Sequence, residues 1–161
     1  NGFVFDPVTF MATADNMAGS SRRTGTEVVL LWDISQALSL AANYTYVDSK
    51  ADDQREVRRP RHAGSIDVDY SFLNERAQLA VTATYGGTRA DTFFPPWPNP
   101  PEVVELQSHW LVDLTTRYRW SESTTVFLRA TNLLDTDYEH VYGFNTPGRA
   151  AFAGIQLDFG R

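Results

Sequence analysis

The chain has 161 residues, with 14 Lys and Arg against 20 Asp and Glu, and its formal net charge is −6. This acidic balance argues against a nucleic-acid partner, because non-specific nucleic-acid binding depends on neutralising phosphates with cations. The absence of cysteine excludes disulfides, thiolate metal sites and a thiol nucleophile. No apolar run approaches the roughly 18 residues of a membrane helix, so a membrane-spanning chain of this sequence would have to use strands.

The first third of the chain predicts a strand stub and several strands. The stub covers residues 1–5 and precedes turn chemistry at Asp6-Pro7. A short run at 8–13 follows. Apolar side chains then alternate with polar ones along residues 38–46 and, less regularly, along residues 26–34.

The remaining strands show the same period of two. They are predicted at residues 66–72, 79–85, 110–120, 126–131 and 151–159. Alternation over whole strands, with aromatic residues at the ends of the apolar rows, is what a sheet needs when one face meets lipid. We therefore predict an all-β, antiparallel, up-and-down transmembrane β-barrel, of which this chain supplies about seven full strands plus a stub.

The connections alternate between short and long. The short turns are Ser35-Gln36, Asn74-Glu75 and Ser121-Glu122-Ser123. The long connections are 48–60, 86–104 and 134–148. The first of these is densely charged and predicts a solvated loop, and the second contains five of the 8 prolines and predicts an extended, irregular loop. Outer-membrane barrels have this asymmetry, with short periplasmic turns and long extracellular loops.

Aromatic residues near the strand ends are candidates for the two girdles that meet the membrane interfaces. The girdle candidates are Trp32, Tyr44, Tyr46, Tyr70, Phe72, Tyr85, Trp110, Tyr118, Trp120 and Phe159.

The end of the chain resembles the C-terminus of TonB-dependent outer-membrane receptors, such as those for vitamin B12 and siderophores. The resemblance rests on the segment from Asn132 to Tyr138, on 141–144, on Pro147-Gly148-Arg149 and on a final strand that ends in an aromatic residue. Near the start, Asn16, Arg23, Gly25 and Glu27 are similar to the family's N…R-x-x-G-x-E segment.

This resemblance implies that residues 1–161 are the C-terminal part of a 22-stranded barrel, an excerpt that contains no plug domain. It implies a receptor in the outer membrane of a Gram-negative bacterium that imports a scarce nutrient, cobalamin or a ferric siderophore. The implied partners are outer-membrane lipid, a small-molecule nutrient in the form of a metal chelate, and the TonB complex, which would act through the missing N-terminal part.

Two sets of residues are candidates for specific roles. One set is expected to organise the base of a loop and consists of Asn132, Asp135, Gly148 and Arg149. Asn132 and Asp135 can hydrogen-bond their own backbone, and Arg149 can pair with Asp135 or Asp137. The aromatic residues of the long connections either contact a ligand or pack onto their own neighbours. They are Phe93, Phe94, Trp97, Tyr142 and Phe144.

No enzymatic site is predicted. The three histidines are isolated in sequence, and no H-E-x-x-H, phosphate-binding loop or G-x-S-x-G motif is present. The acidic cluster Asp135, Asp137 and Glu139 with His140 lacks the ligand spacing of an EF-hand or zinc site. We therefore predict neither a metal site nor a cofactor.

Two alternatives stay open. One is a complete outer-membrane barrel of about eight strands that acts as an anchor or adhesin, in which residues 1–5 would pair with 150–159. The other is a soluble ligand-binding β-sandwich, which would turn the apolar faces inward and bury Trp110, Leu114 and Tyr118.

Overall fold

The computed structural model describes residues 2–15, 20–52 and 54–159. These residues form twelve strands and, among them, no helix that is long and apolar enough to cross a membrane. The strands are β1 (Gly2–Asp6), β2 (Met11–Asp15), β3 (Ser21–Asp33), β4 (Leu38–Ala51), β5 (Gln54–Arg55), β6 (His62–Phe72), β7 (Ala77–Gly86), β8 (Arg89–Phe93), β9 (Glu102–Leu106), β10 (His109–Ser121), β11 (Thr124–Thr131) and β12 (Ala150–Leu157).

Seven long strands form one antiparallel sheet in the order β12-β11-β10-β7-β6-β4-β3. The short strand β5 pairs with the end of β4, while β1–β2 and β8–β9 are separate hairpins. Each long strand therefore pairs with the next long strand along the chain, which is an up-and-down meander. This confirms the all-β antiparallel prediction with about seven full strands.

The register gives the sheet one apolar and one mainly polar face. Directly paired residues share a face, and one row crosses all seven strands with apolar side chains only: Trp32, Leu40, Val68, Val81, Leu114, Ala130 and Ala151. The adjacent row on the other face consists of Asp33, Ser39, Asp69, Ala80, Thr115, Arg129 and Phe152.

No second layer covers the apolar face in the part of the chain that the structure describes. Leu30 is 50% exposed and Ile155 is 67% exposed. The apolar side chains that are buried among the described residues are only Ala77, Leu106 and Ala130. A soluble sandwich would instead bury this face, and exposed apolar surface of this extent requires another covering, such as lipid.

The sheet does not close on itself. Strand β1 pairs with β2 and not with β12, so the pairing that a complete small barrel would need is not formed among the described residues. Strands β3 and β12 lie at the two ends of the strand order.

Several boundaries differ from the sequence prediction. Residues 48–51, predicted as loop, continue β4, because they pair with 21–24 at the start of β3. The run predicted at 8–13 is a strand only from Met11 onward. The predicted irregular loop 86–104 contains β8 and most of β9, which pair on either side of its proline-rich tip. Phe159 lies beyond β12.

Candidate functional site

The connections divide the sheet into a short-turn end and a long-loop end. Three long loops lie at the long-loop end, and we define them as loop A (52–61), loop B (87–108) and loop C (132–149). Loop B carries the β8–β9 hairpin.

A single buried carboxylate joins the three loops. Asp91 in loop B is fully buried, and its Oδ1 accepts a hydrogen bond from Arg58 Nε of loop A at 2.7 Å. Its Oδ2 accepts a hydrogen bond from the Tyr142 N–H of loop C at 2.8 Å. The Arg58 N–H also donates to the Ala90 carbonyl at 2.7 Å. Loops A, B and C therefore meet at one side chain.

The hydrogen bonds of Asp91 favour its charged form. Burial raises the pKa of this carboxyl, but the donors from Tyr142, Arg58 and Thr92 together outweigh burial and hold its pKa below the ordinary range. An ionised carboxylate is therefore held between the loops. Nothing in the sequence pattern singles out Asp91, because its partners lie 33 and 51 residues away.

A second contact joins loops B and C near the start of β10. The guanidinium of Arg89, itself buried, donates to the Glu139 carbonyl. His109 at the start of β10 is buried, and its ring stacks on Tyr138 at 4.8 Å between centroids. Leu106 is only 3% exposed. Arg89, Leu106 and His109 are therefore buried where loops B and C meet the start of β10.

Loop A has its own network on the polar side of β3 and β4. Arg23 Nη2 lies 2.8 Å from Glu56 Oε1, and Arg59 Nε lies 2.7 Å from Glu56 Oε2. Ser49, which is buried, also donates to Glu56. The hydrogen bonds from Arg23 and Ser49 lower the pKa of Glu56 to about 2.

The candidate loop-base residues lie together at the base of loop C. Asn132 is buried, its Nδ2 donates to the Thr136 and Pro147 carbonyls, and its Oδ1 accepts from the Thr136 N–H. Asp135 Oδ1 accepts the Arg149 N–H at 2.8 Å, and its Oδ2 lies 3.8 Å from Arg149 Nη2. Asn132 and Asp135 both have positive φ, which suits residues that hydrogen-bond the nearby backbone.

The candidate ligand-contacting aromatics divide into packed and exposed rings. Phe93 and Tyr142 contact each other edge-on at 5.1 Å and so join loops B and C. Phe94 is 71% exposed, Trp97 is 92% exposed and Phe144 is 69% exposed. Phe93 and Tyr142 therefore pack between loops, and contact of Phe94, Trp97 and Phe144 with a ligand stays a prediction.

The girdle candidates lie in two rows on the apolar face. The row at the long-loop end contains Tyr44, Tyr46, Tyr85 and Trp110, and the row at the short-turn end contains Trp32, Tyr70, Phe72, Tyr118 and Trp120. At about 3.3 Å per residue, Trp110 and Tyr118 are about 26 Å apart along β10. This spacing is comparable with the apolar band of about 25 Å in membrane barrels. Phe159 lies past β12 and is 88% exposed.

A wide groove lies away from the aromatic loops, on the polar face toward the short-turn end. It measures about 980 Å³, and its lining includes Arg117, Arg119, Arg129, Phe127 and Phe152. Asp67 and Asp69 lie on the same face of β6, and Asp113 lies on this face of β10 together with Arg117 and Arg119.

The described residues bring together no group of three or more His, Asp or Glu that could hold a metal ion. The acidic cluster noted in the sequence is spread along loop C and consists of Asp135, Asp137, Glu139 and His140. Two of its members, Asp135 and Glu139, accept hydrogen bonds from backbone N–H groups of that loop.

Three solved structures are similar to this chain in fold. The ferripyoverdine receptor of the outer membrane of Pseudomonas aeruginosa is 19% identical, with a TM-score of 0.78 over 96% of this chain and 21% of its own. The ferric-catecholate import receptor Fiu from E. coli K12 is 18% identical, with a TM-score of 0.72 over 99% of this chain and 23% of its own. The siderophore receptor PiuA from Acinetobacter baumannii is 20% identical, with a TM-score of 0.71 over 86% of this chain and 22% of its own.

The chain thus spans about a fifth of the length of these receptors. A sequence model of the family described as TonB dependent receptor-like, beta-barrel, matches residues 1–133, which is most of the chain. The uncovered apolar face, the two aromatic rows and the alternation of short turns with long loops agree with that match. The chain belongs to the TonB-dependent receptor β-barrel family.

Proposed function

We propose that this chain forms wall and extracellular loops of an outer-membrane receptor that takes up a scarce nutrient as a metal chelate. In this proposal, residues 1–161 are the C-terminal part of a 22-stranded barrel. The plug domain and the contact with TonB belong to the rest of the protein, and the long-loop end faces the outside of the cell.

The observation that carries the proposal is the joined set of loops at the long-loop end. Asp91 holds loops A, B and C together, and the loops present Phe94, Trp97 and Phe144 to solvent. Aromatic side chains supply contact area at a small entropic cost, which is why they are common in binding sites. The polar face of the sheet then lines the interior through which a hydrophilic chelate would pass.

A ferric siderophore is the nutrient class that we favour. The three receptors described above recognise or import ferric siderophores, or are named as siderophore receptors, and they share the fold of this chain. Cobalamin, the other class implied by the resemblance, is the second candidate. Neither class requires covalent chemistry by the protein, so we propose a transport receptor and not an enzyme.

The test uses the full-length receptor in outer membranes. Binding of iron-labelled pyoverdine, an iron-labelled catecholate siderophore and labelled cobalamin would be measured for the wild type and for a Phe94→Ala, Trp97→Ala double variant. We expect one of the ferric chelates to bind, and we expect the double variant to bind it at least tenfold more weakly. Trp120→Ala removes another exposed aromatic at the short-turn end and serves as the matched control, with unchanged binding.

Three results would contradict or change the proposal. Binding of none of the three probes would refute uptake of these nutrient classes. Equal binding by the wild type and the double variant would refute the role of the aromatic loop, and preference for cobalamin would replace the siderophore with the second candidate.

A further inference from the structure

A buried histidine lies where three parts of the fold meet. His109, the first residue of β10, is only 8% exposed, and its backbone pairs with Gly86 at the end of β7. A Cβ at position 86 would lie 2.8 Å from His109 Cε1, so the imidazole occupies the space that a side chain there would take. His109 precedes Trp110 of the aromatic row, so it lies on the loop side of that row, outside the membrane-spanning part of β10.

Loops B and C enclose the imidazole. The His109 ring stacks on Tyr138 of loop C at 4.8 Å between centroids, and the His140 ring meets it edge-on at 6.0 Å. Arg89 of loop B is buried as well and donates to the Glu139 carbonyl of loop C. The histidine ring is therefore part of the contact that holds loop C against loop B and the end of β7.

The groups around the ring favour its neutral form. Nδ1 of His109 has no hydrogen-bond partner among the described residues. The charged groups that act on the ring from the described parts of the loops are Arg89 and His140, while the Glu139 carboxylate accepts a backbone N–H of its own loop. Burial, together with Arg89 and His140, holds the pKa of His109 below its ordinary value of 6.5, although the Gln107 carbonyl acts in the opposite direction.

We propose that His109 is a pH-sensitive switch between loops B and C, which holds them together while its ring is neutral and releases loop C once the ring takes up a proton from solvent. A charged ring here would be buried beside a guanidinium, and two charged histidines 6.0 Å apart would repel each other. The inference goes beyond the proposed uptake of a nutrient, since it concerns the order of the loops whatever they bind.

The pH range of the switch follows from the sign of the shift. A loosened loop C exposes the ring to water and restores its ordinary pKa of 6.5, so the loosened state binds a proton more readily than the closed state does. The loosened state is therefore favoured progressively as the pH falls below 6.5. Well above 6.5 the ring is neutral in both states, and the switch has no effect on the loops.

The carboxylates that order the same loops do not respond in this range. The pKa values of Asp91 and Glu56 both lie below the ordinary carboxyl range, and that of Glu56 is about 2. The hydrogen bonds from Arg58 and Tyr142 to Asp91 should therefore persist while the contact at His109 opens. The proposal thus predicts a partial release, in which loop C loosens and loop A does not.

The experiment is hydrogen exchange of the full-length receptor, purified in detergent, at about one pH unit above and one below the ordinary histidine pKa of 6.5. Protection factors would be corrected for the intrinsic pH dependence of amide exchange. The test variant is His109→Phe, which keeps an aromatic ring that cannot be protonated. The matched control is His62→Phe, the same substitution at an exposed histidine whose ring contacts Tyr46 and not loop C.

We expect the protection of the amides from Thr136 to Phe144 to fall at least about threefold at the lower pH in the wild type and in His62→Phe. Loop A should keep its protection, and His109→Phe should protect loop C equally at both pH values. Equal protection of loop C at both pH values in the wild type, or the same fall in His109→Phe, would overturn the inference. A fall of equal size in loop A would overturn it as well, because it would indicate a general loosening in acid.

Two precautions keep the outcome interpretable. Each variant must retain the heat-modifiable migration of a folded barrel in SDS gels, and if His109→Phe does not fold, His109→Gln replaces the ring by another side chain that cannot be protonated. The measurement contains no metal chelate, so a failure of the proposed uptake function would leave the result unaffected.

Discussion

Arg58 Nε and Asp91 Oδ1 are 2.7 Å apart, and this ion pair connects a charged, partly exposed loop to a carboxylate that has no contact with solvent. The other oxygen of Asp91 binds the backbone of Tyr142. A buried carboxylate whose hydrogen-bond partners are all donors fixes the positions of those partners more firmly than an exposed ion pair does. The arrangement of the three loops therefore depends on Asp91.

Replacing Asp91 by Asn should loosen the loops without unfolding the sheet. The new amide must place its NH2 group against another donor, either the Arg58 guanidinium or the Tyr142 N–H. We expect this to lower the local stability of the loops by about 1–2 kcal/mol, a range that allows for the solvent exposure of Arg58. Hydrogen exchange of the full-length receptor should show faster exchange in loops A and C. The matched control is Asp137→Asn, which changes an exposed carboxylate of the same loop C. Unchanged protection of loop C in Asp91→Asn would contradict the prediction.

The order of loop A should depend on pH only under strongly acidic conditions. The folded-state pKa of Glu56 is lowered to about 2 from an ordinary value of 4.5, so its contribution to stability is fully present above pH 4.5 and is lost as the pH falls toward 2. Carboxyl-carbon NMR of the labelled receptor should show this low midpoint. In Arg23→Gln, which removes the strongest hydrogen-bond donor to Glu56, the midpoint should rise toward the ordinary value. A wild-type midpoint at or above 4.5 would rule out the network.

An arginine substitution should destabilise the fold on the apolar face of β7 and should be tolerated on its polar face. Val81 lies in the apolar row between Val68 and Leu114, and Arg at a lipid-facing position near the bilayer midplane costs about 2–4 kcal/mol. Its neighbour Ala80 points to the polar face and pairs with Asp69, so Ala80→Arg should be tolerated. Folding yield into lipid vesicles would compare the two variants. A larger loss in Ala80→Arg would show that the faces are assigned the wrong way round.

Two glycines should differ in their tolerance of alanine. A Cβ at Gly64 would lie 2.6 Å from the backbone carbonyl oxygen of Asn43, so Gly64→Ala must distort the β4–β6 ladder, at a cost of about 1–3 kcal/mol. A Cβ at Gly154 would overlap the far end of the Phe127 ring, which can rotate away. The temperature at which each variant loses its folded migration in SDS gels should therefore fall more for Gly64→Ala. Equal temperatures would contradict the prediction.

The regular part of the fold could be predicted from local sequence because strand alternation is a local signal. The row from Trp32 to Ala151 and the two aromatic rows follow from residue parity once neighbouring strands pair. The ends of strands were harder to predict. Residues 48–51 carry charges typical of a loop, yet they form strand because residues 21–24 pair with them.

Less of the candidate site than of the sheet could be predicted from the sequence. The prolines between Phe93 and Glu102 indicate an irregular tip but do not show that the flanking residues pair as β8 and β9. Asp91 and Arg58 have no neighbouring motif, and their contact depends on how three loops fold over one end of the sheet. The close approach of Asp135 and Arg149, in contrast, spans only 14 residues and follows a recognisable turn pattern.

The contact between Asp91 and Tyr142 uses a backbone N–H, and this has a consequence for how the receptor can diversify. Any residue other than proline at position 142 can donate the same hydrogen bond, so this link survives a change of the side chain, which alters only the ring contact with Phe93. Arg58 and Asp91, in contrast, must be kept or exchanged as a pair. Substitutions can therefore alter the surface of loop C one residue at a time while the loops stay joined.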